Sequence, residues 1–318
     1  MAGYALRRIG TAVVLIWLVA SLIFMILHAI PGDPAELLLS QGGTAPDPAQ
    51  VAELRQQLGL NRPLLAQYMA YLTGVLHGDL GASLQDGHSV VDEVSLRLPR
   101  TLELIAAAAI LSIVVGVPFG VLAATRAGTP LDSLLSVLAG VALSVPVFVV
   151  GTLAVLVFSQ QLKLIPAGGY IAPGTNLGRH LLLLAMPAGT IAVGLGAVVF
   201  RTTRSAMLEL LGRDFVRAAH AKGVRPRDIV LRHVLRNALV PIATVFGLQV
   251  GTLLGGTVLV EYVFNWPGLS GYLVNAVEAR DYPEIVGIVL VISILFVCLN
   301  FLVDMLYAVL DPRVRYSR

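Results

Sequence analysis

The chain has 318 residues, of which 57% are hydrophobic and 13% charged, with a formal net charge of +3. About a quarter of the residues of a soluble domain are charged, so an ordinary water-soluble globule is excluded. The small positive excess is no argument for nucleic acid, and a single cysteine, Cys298, allows neither an intrachain disulfide nor a cysteine metal cluster.

The charges are segregated. No Asp, Glu, Lys or Arg interrupts Ile9–Gly32, Leu104–Thr125, Ser133–Leu162, His180–Phe200, Asn237–Val260 or Ile285–Val303. A helix needs about 20 apolar residues to cross a bilayer core, and in lipid it must satisfy its own backbone. The predicted fold is all-α and polytopic, one transmembrane domain over 1–318. Its six spans fall at about 9–30, 102–125, 134–158, 181–200, 239–260 and 285–310.

The first span follows Arg7 and Arg8, as a secretory signal would. Its apolar stretch is longer than the roughly 7–15 residues of a signal core, and it is read as a retained helix. With six spans, one side collects fifteen Lys and Arg, nine of them between Arg201 and Leu239, and the other side seven. The positive-inside rule then predicts cytoplasmic termini and a cytoplasmic basic loop.

Residues 32–100 form a predicted external segment too long for a simple turn. Within it, Asp47-Pro48 reads as an N-cap and first helical residue, with Gly59 as the stop. Pro63 opens a second helix closed by Gly78, whose Leu65, Tyr68, Met69, Leu72 and Leu76 recur at helical spacing. That stripe suits either the membrane surface or a small cap on the bundle.

Spans two, three and four carry Pro118, Pro146 and Pro187, each expected to kink its helix. The basic loop, 201–238, comes next. Asp214 is a candidate N-cap for a helix of Phe215, Val216, Arg217, Ala218, Ala219, His220, Ala221 and Lys222, which Gly223 would end in a left-handed turn. A helix of about 12 Å needs a surface to hold it. Pro226 opens a further helix that can run straight into span five.

In span five, Gly247, Gly251 and Gly255 recur at i, i+4, i+8 and suggest close helix packing. Beyond it, Tyr262, Trp266, Tyr272 and Tyr282 suit an interfacial aromatic belt or the rim of a vestibule. In span six, Asp304 reads as a helix-end residue paired with another span or with Arg313. His77, His88, His180, His220 and His233 fall in predicted loops.

The pattern Arg217-Ala218-Ala219-x-x-x-Gly223 resembles the "EAA" loop of permease subunits in binding-protein-dependent ABC importers, with Arg217 where many members carry Glu. Tyr4-Ala5-Leu6-Arg7-Arg8, Pro31-Gly32-Asp33-Pro34, Leu58 to Pro63, Gly78-Asp79-Leu80-Gly81, Arg97 to Thr101, Ala279 to Pro283 and Asp304 to Arg315 are similar to the oligopeptide, dipeptide and nickel permeases of that group. The resemblance extends from end to end. It implies a type I importer permease fold in a bacterial inner membrane, with Asp214, Phe215, Arg217, Ala218, Ala219, Lys222 and Gly223 as the ATPase-coupling loop. It also implies a second homologous permease, two cytoplasmic ABC ATPases or one fused chain, and an external solute-binding protein delivering short peptides or a similar solute.

The residues agree with a non-catalytic subunit. The only lysines are Lys163 and Lys222, so a Gly-x-x-x-x-Gly-Lys-Ser/Thr loop is absent and ATP with Mg2+ is expected on partner subunits. An ion-gradient-driven secondary transporter is the alternative, but no ionisable residue falls at mid-span for a proton relay. No His-Glu-x-x-His or Gly-x-Ser-x-Gly set supports an intrinsic enzyme.

Overall fold

The computed structural model describes residues 2–29, 34–39, 47–57 and 59–310. The Pro31-Gly32-Asp33 turn, the closing Asp311–Arg315 segment and the surroundings of Asp304 and Gly255 lie outside the described residues. Among the described residues there is no strand, only the isolated bridge between Ala82 and Ser89. Among the described residues five helices are long and apolar enough to cross a membrane: Leu6–Ile26, Val90–Thr125, Leu177–Leu211, Pro226–Leu253 and Tyr282–Phe301. A sixth crossing exists if Pro130–Ser144 and Val147–Gln161, bent by 102° to each other, count as one span.

The chain divides into two compact units, residues 7–96 with 272–297, and residues 1–6 with 97–271 and 298–318. In the first lie α1 (Ala2–Ala29, from Arg7 onward), α2 (Pro34–Leu39), α3 (Pro48–Gln57) and α4 (Leu64–Leu76). The sequence signals act where they were expected. Asp47 Oδ1 accepts from the Ala49 amide at 3.0 Å, and Gly59 (φ +68°) and Gly78 (φ +79°) adopt the left-handed conformation after α3 and α4. α4 lies against α1, with the Tyr68 hydroxyl 2.6 Å from Ser21 Oγ and the Phe24 ring between Tyr68 and Tyr71. The turn after α4 is held by Asp281, fully buried, which accepts from Ser83 Oγ at 2.6 Å and the Leu84 amide at 2.9 Å.

The second unit is built around α8 (Leu177–Leu211), on which α6 (Pro130–Ser144), α7 (Val147–Ala154, continuing as π-helix to Gln161) and α11 (Leu235–Gly256) all pack. Between them in sequence lie α9 (Asp214–Ala221) and α10 (Pro226–Asp228), the latter running through a π-helical Ile229–Val234 into α11. α12 (Val258–Val263) completes the helices that lie wholly within this unit. α5 (Val90–Thr125), α13 (Leu269–Glu278) and α14 (Tyr282–Leu310) each have residues in both units.

Three expectations change. Pro146 does more than kink its helix, breaking the span outright, while α5 and α8 continue through Pro118 and Pro187. The residue before a proline is pushed out of the helical region, and Val145 is extended at φ −91°, ψ 126°, so α6 ends there. Helices also outrun the charge-free stretches: α5 starts at Val90 and α8 continues past Phe200 to Leu211, so the first turns of the basic loop are an extension of α8. Finally, Trp266 and Tyr272 are buried, so they are not belt or rim residues, although Tyr262 is 67% exposed.

Close helix approach occurs at Gly116 and Gly120 of α5. A Cβ on Gly116 would meet the Gly196 carbonyl oxygen at 2.8 Å, and one on Gly120 would meet Thr203 Cβ at 2.6 Å, so α5 and α8 touch backbone to side chain. A Cβ on Gly251 would find Asn300 Oδ1 at 3.5 Å, an ordinary contact. The signal was available in sequence as Gly116-x-x-x-Gly120, but it gave no hint of which helix would approach.

Candidate coupling site

The segment joining α8 to α11 is short and rigidly folded. α8 ends at Leu211 with Gly212 following, and Arg213 (φ −77°, ψ 153°) turns the chain into α9. Asp214 is the first residue of that helix and makes no side-chain cap; its carboxylate lies 3.4 Å from the Arg217 guanidinium, both groups well exposed. The expected N-cap is thus displaced by one residue, onto an arginine that cannot accept a bond. Asp214 still places a negative charge in the first turn, where the helix dipole favours it.

The end of α9 follows its sequence. Gly223 sits at φ +75°, its amide donates to the His220 carbonyl at 2.9 Å, and the Val224 amide reaches back to the Ala219 carbonyl at 3.2 Å. This is the paired closure of a Schellman turn, and it needs the left-handed residue that glycine supplies most cheaply.

α9 does not wait for an external surface to hold it. Val216, 5% exposed, and the part-buried Ala219 and Val224 pack into a cluster with Met207 of α8, Ile229 and Val234 of the π-helical segment, and Ala238 of α11. One face of α9 is therefore anchored to the ends of α8 and α11. Phe215, Arg217, Ala218, Ala221 and Lys222 stay on the exposed face. A displacement of that face must move α8 and α11, because the shared core joins them.

Two buried polar joints stiffen the same unit, and neither was legible from sequence. Asp132, at the start of α6, takes a two-pronged bond from Arg204 of α8, Nε to Oδ1 at 2.6 Å and a terminal nitrogen to Oδ2 at 2.8 Å. Glu261, 1% exposed, accepts from Thr101 Oγ1 at 2.7 Å and from the amides of Ser270 and Gly271 at 2.8 and 3.2 Å. Burial pushes its carboxyl above the usual range, against the lowering effect of those donors. Trp266 Nε1 donates to the Arg100 carbonyl at 3.0 Å, tying the same loop to the start of α5.

His180 is also relocated. It lies inside α8 and is 1% exposed, with Nδ1 2.7 Å from the Ile171 carbonyl and Nε2 2.7 Å from Glu103 Oε1. Further along α8, Arg201, Ser205 and Glu209 fall at i, i+4, i+8 and line a cavity of about 530 Å³ shared with Leu143 of α6 and Pro241 of α11. Gly247, Gly251 and Gly255 fall within α11.

An α-helical membrane protein with five or six spans and a short, core-anchored helix between two of them has the form of a transport permease. Residues 116–316 match the family described as "Binding-protein-dependent transport system inner membrane component", and residues 1–105 match the N-terminal component of the same systems. The dipeptide transport system permease protein DppB of Escherichia coli K12 is 37% identical over the full length of both chains, and the glutathione transport system permease protein GsiC of Pectobacterium atrosepticum is 40% identical, again over both full lengths. In fold, the chain is similar to a crystal structure of an amino acid ABC transporter with histidines, at TM-score 0.52 and 16% identity, covering 68% of this chain and 94% of that one. The chain belongs to the inner-membrane permease family of binding-protein-dependent ABC importers. It is accordingly a multi-pass protein of a bacterial inner membrane and a transport subunit.

Proposed function

We propose that this permease imports short peptides, pairing with a second homologous permease and receiving solute from an external binding protein. Two cytoplasmic ATPase subunits, carrying the ATP and Mg2+, dock on the exposed face of α9 formed by Phe215, Arg217, Ala218 and Lys222. In this reading both termini and α9 are cytoplasmic, as the lysine and arginine asymmetry predicts. The full-length similarity to a dipeptide permease supports the solute class. The observation that carries the coupling role is the attachment of α9 to α8 and α11 through Val216, Ile229 and Val234.

The proposed cycle is mechanical. Closure of the ATPase pair on ATP displaces α9, and the continuous Pro226–Leu253 helix carries that displacement into the membrane. Arg201, Ser205 and Glu209 are placed on the solute path, because they line one cavity along the same face of α8. Arg217 stands where many relatives of the motif carry Glu, so the ATPase groove is expected to offer an acceptor there rather than a donor.

The test uses the single native cysteine. In a Cys298→Ser background, Ala218→Cys is placed on the exposed face of α9 and the complex is treated with a short bifunctional thiol reagent. Cross-linking to an ATPase carrying a cysteine in its docking cleft, with loss of dipeptide uptake and recovery on reduction, is the expected result. Robust ion-gradient uptake by the permease alone, without ATPase subunits, would overturn the reading.

A further inference from the structure

We propose that the cleft between α1, α4 and the head of α14 is a phospholipid site within one leaflet, with α4 embedded in that leaflet as its outer wall. The first observation is depth. Tyr68 of α4 bonds Ser21 at 2.6 Å, and Ser21 lies eight residues before Ala29, where α1 ends. At about 1.5 Å per residue this sets Tyr68 about 12 Å back from the end of α1, level with its apolar stretch.

The second observation is the outward face of α4. Leu64, Leu65, Met69 and Leu76 are 55–83% exposed and continue the lipid-facing surface of α1, where Leu22, Met25 and Ile26 are also exposed. A cap in water would not present that row. The occupant of this surface is therefore acyl chain.

The third observation is the cleft behind α4, a space of about 1140 Å³. Phe24, Leu64, Ala70, Val286 and Leu290 supply apolar walls, and Arg62, His28 and Gln67 lie on its polar part. The Tyr71 hydroxyl is buried there with no hydrogen-bond partner among the described residues. Arg55 and Asp79 also line it, and a phospholipid fits this mixed lining, with chains for the apolar walls, an ester carbonyl for Tyr71 and a phosphate for Arg62.

The test is made on the intact transporter complex in nanodiscs of phosphatidylethanolamine and phosphatidylglycerol. Lipid retained after detergent extraction is counted by native mass spectrometry for the parent and for Ala70→Trp, Arg62→Gln and Tyr71→Phe. Ala70→Trp fills the cleft and is expected to remove the retained lipid, while Arg62→Gln weakens retention about tenfold, the effect of one charge-assisted bond. A spin label at Met69→Cys, in the Cys298→Ser background, is expected to be accessible to oxygen and shielded from a water-soluble relaxer. Equal lipid retention in Ala70→Trp, water exposure of the Met69 label, or displacement of the lipid by dipeptide would each overturn the proposal. Wild-type uptake of dipeptide is recorded alongside, so failure of the solute assignment is seen separately.

Discussion

Thr101 and Glu261 lie 160 residues apart, and their side chains meet at 2.7 Å inside the protein, each almost fully buried. The bond ties α12 to α5. Gly268 is required beside it, because a Cβ there would stand 2.3 Å from Glu261 Oε1. Thr101→Val removes one donor from a buried carboxylate and is expected to cost about 1–3 kcal/mol, read as a lowered melting midpoint of the purified complex. Gly268→Ala is expected to prevent stable assembly.

The same carboxyl gives a pH dependence. Its folded-state pKa is raised by burial, so the proton is held more tightly in the folded protein than in the unfolded chain. Its contribution to stability is fully present below the ordinary carboxylate value and is lost as pH rises through the raised folded value. Thermal midpoints measured from acid to neutral pH are expected to decline less steeply in Glu261→Gln than in the parent. An unchanged slope would remove Glu261 as the source.

The Asp132–Arg204 pair joins α6 to α8 with the carboxylate at 5% exposure and the guanidinium at 31%. Breaking it from one side removes the two-pronged bond, although the Gly128 amide still donates to Asp132 Oδ2 at 3.0 Å. Arg204→Gln and Asp132→Asn are each expected to lower the melting midpoint of the purified complex. The double variant is expected to lose less than the sum of the two single losses in a thermodynamic cycle.

Glycines separate into two groups by what surrounds them. Gly120→Ala drives a methyl to 2.6 Å from Thr203 and is expected to push α5 from α8, with a loss of about 1–3 kcal/mol. At Gly140, within α6, nothing lies within 4 Å of a new Cβ, so Gly140→Ala is expected to be neutral or to stabilise by up to about 1 kcal/mol. Gly251→Ala is expected to be tolerated. Melting midpoints of the three variants check the ranking.

Gly223→Val forces a β-branched residue to φ +75°, while asparagine accepts that region far more readily. Dipeptide uptake and binding-protein-stimulated ATP hydrolysis are expected to fall at least tenfold together in Gly223→Val, and to stay within about threefold of the parent in Gly223→Asn. If Gly223→Val keeps both activities, the turn has no part in coupling.

The signals legible in the sequence were local ones. Charge-free runs gave the spans because a bilayer tolerates no unpaired charge, and Asp47, Gly59, Gly78 and Gly223 marked helix ends because caps and left-handed turns are decided by neighbouring backbone alone. Partners distant in the chain were not legible. Nothing in the sequence joined Asp132 to Arg204, and His180 read as a loop residue and Trp266 as an interfacial or rim aromatic, until packing brought each to its contact.

The sequence by itself determined the membrane-spanning class, the family motifs and the shape of the short helix before Gly223. Tertiary structure alone decided which glycines lie at helix crossings, how far Pro146 breaks its span, and that Val216 binds α9 to α8 and α11. The reason is physical. Hydropathy and capping are sums over adjacent residues, whereas a buried bond or a close crossing depends on two segments whose meeting no local pattern encodes.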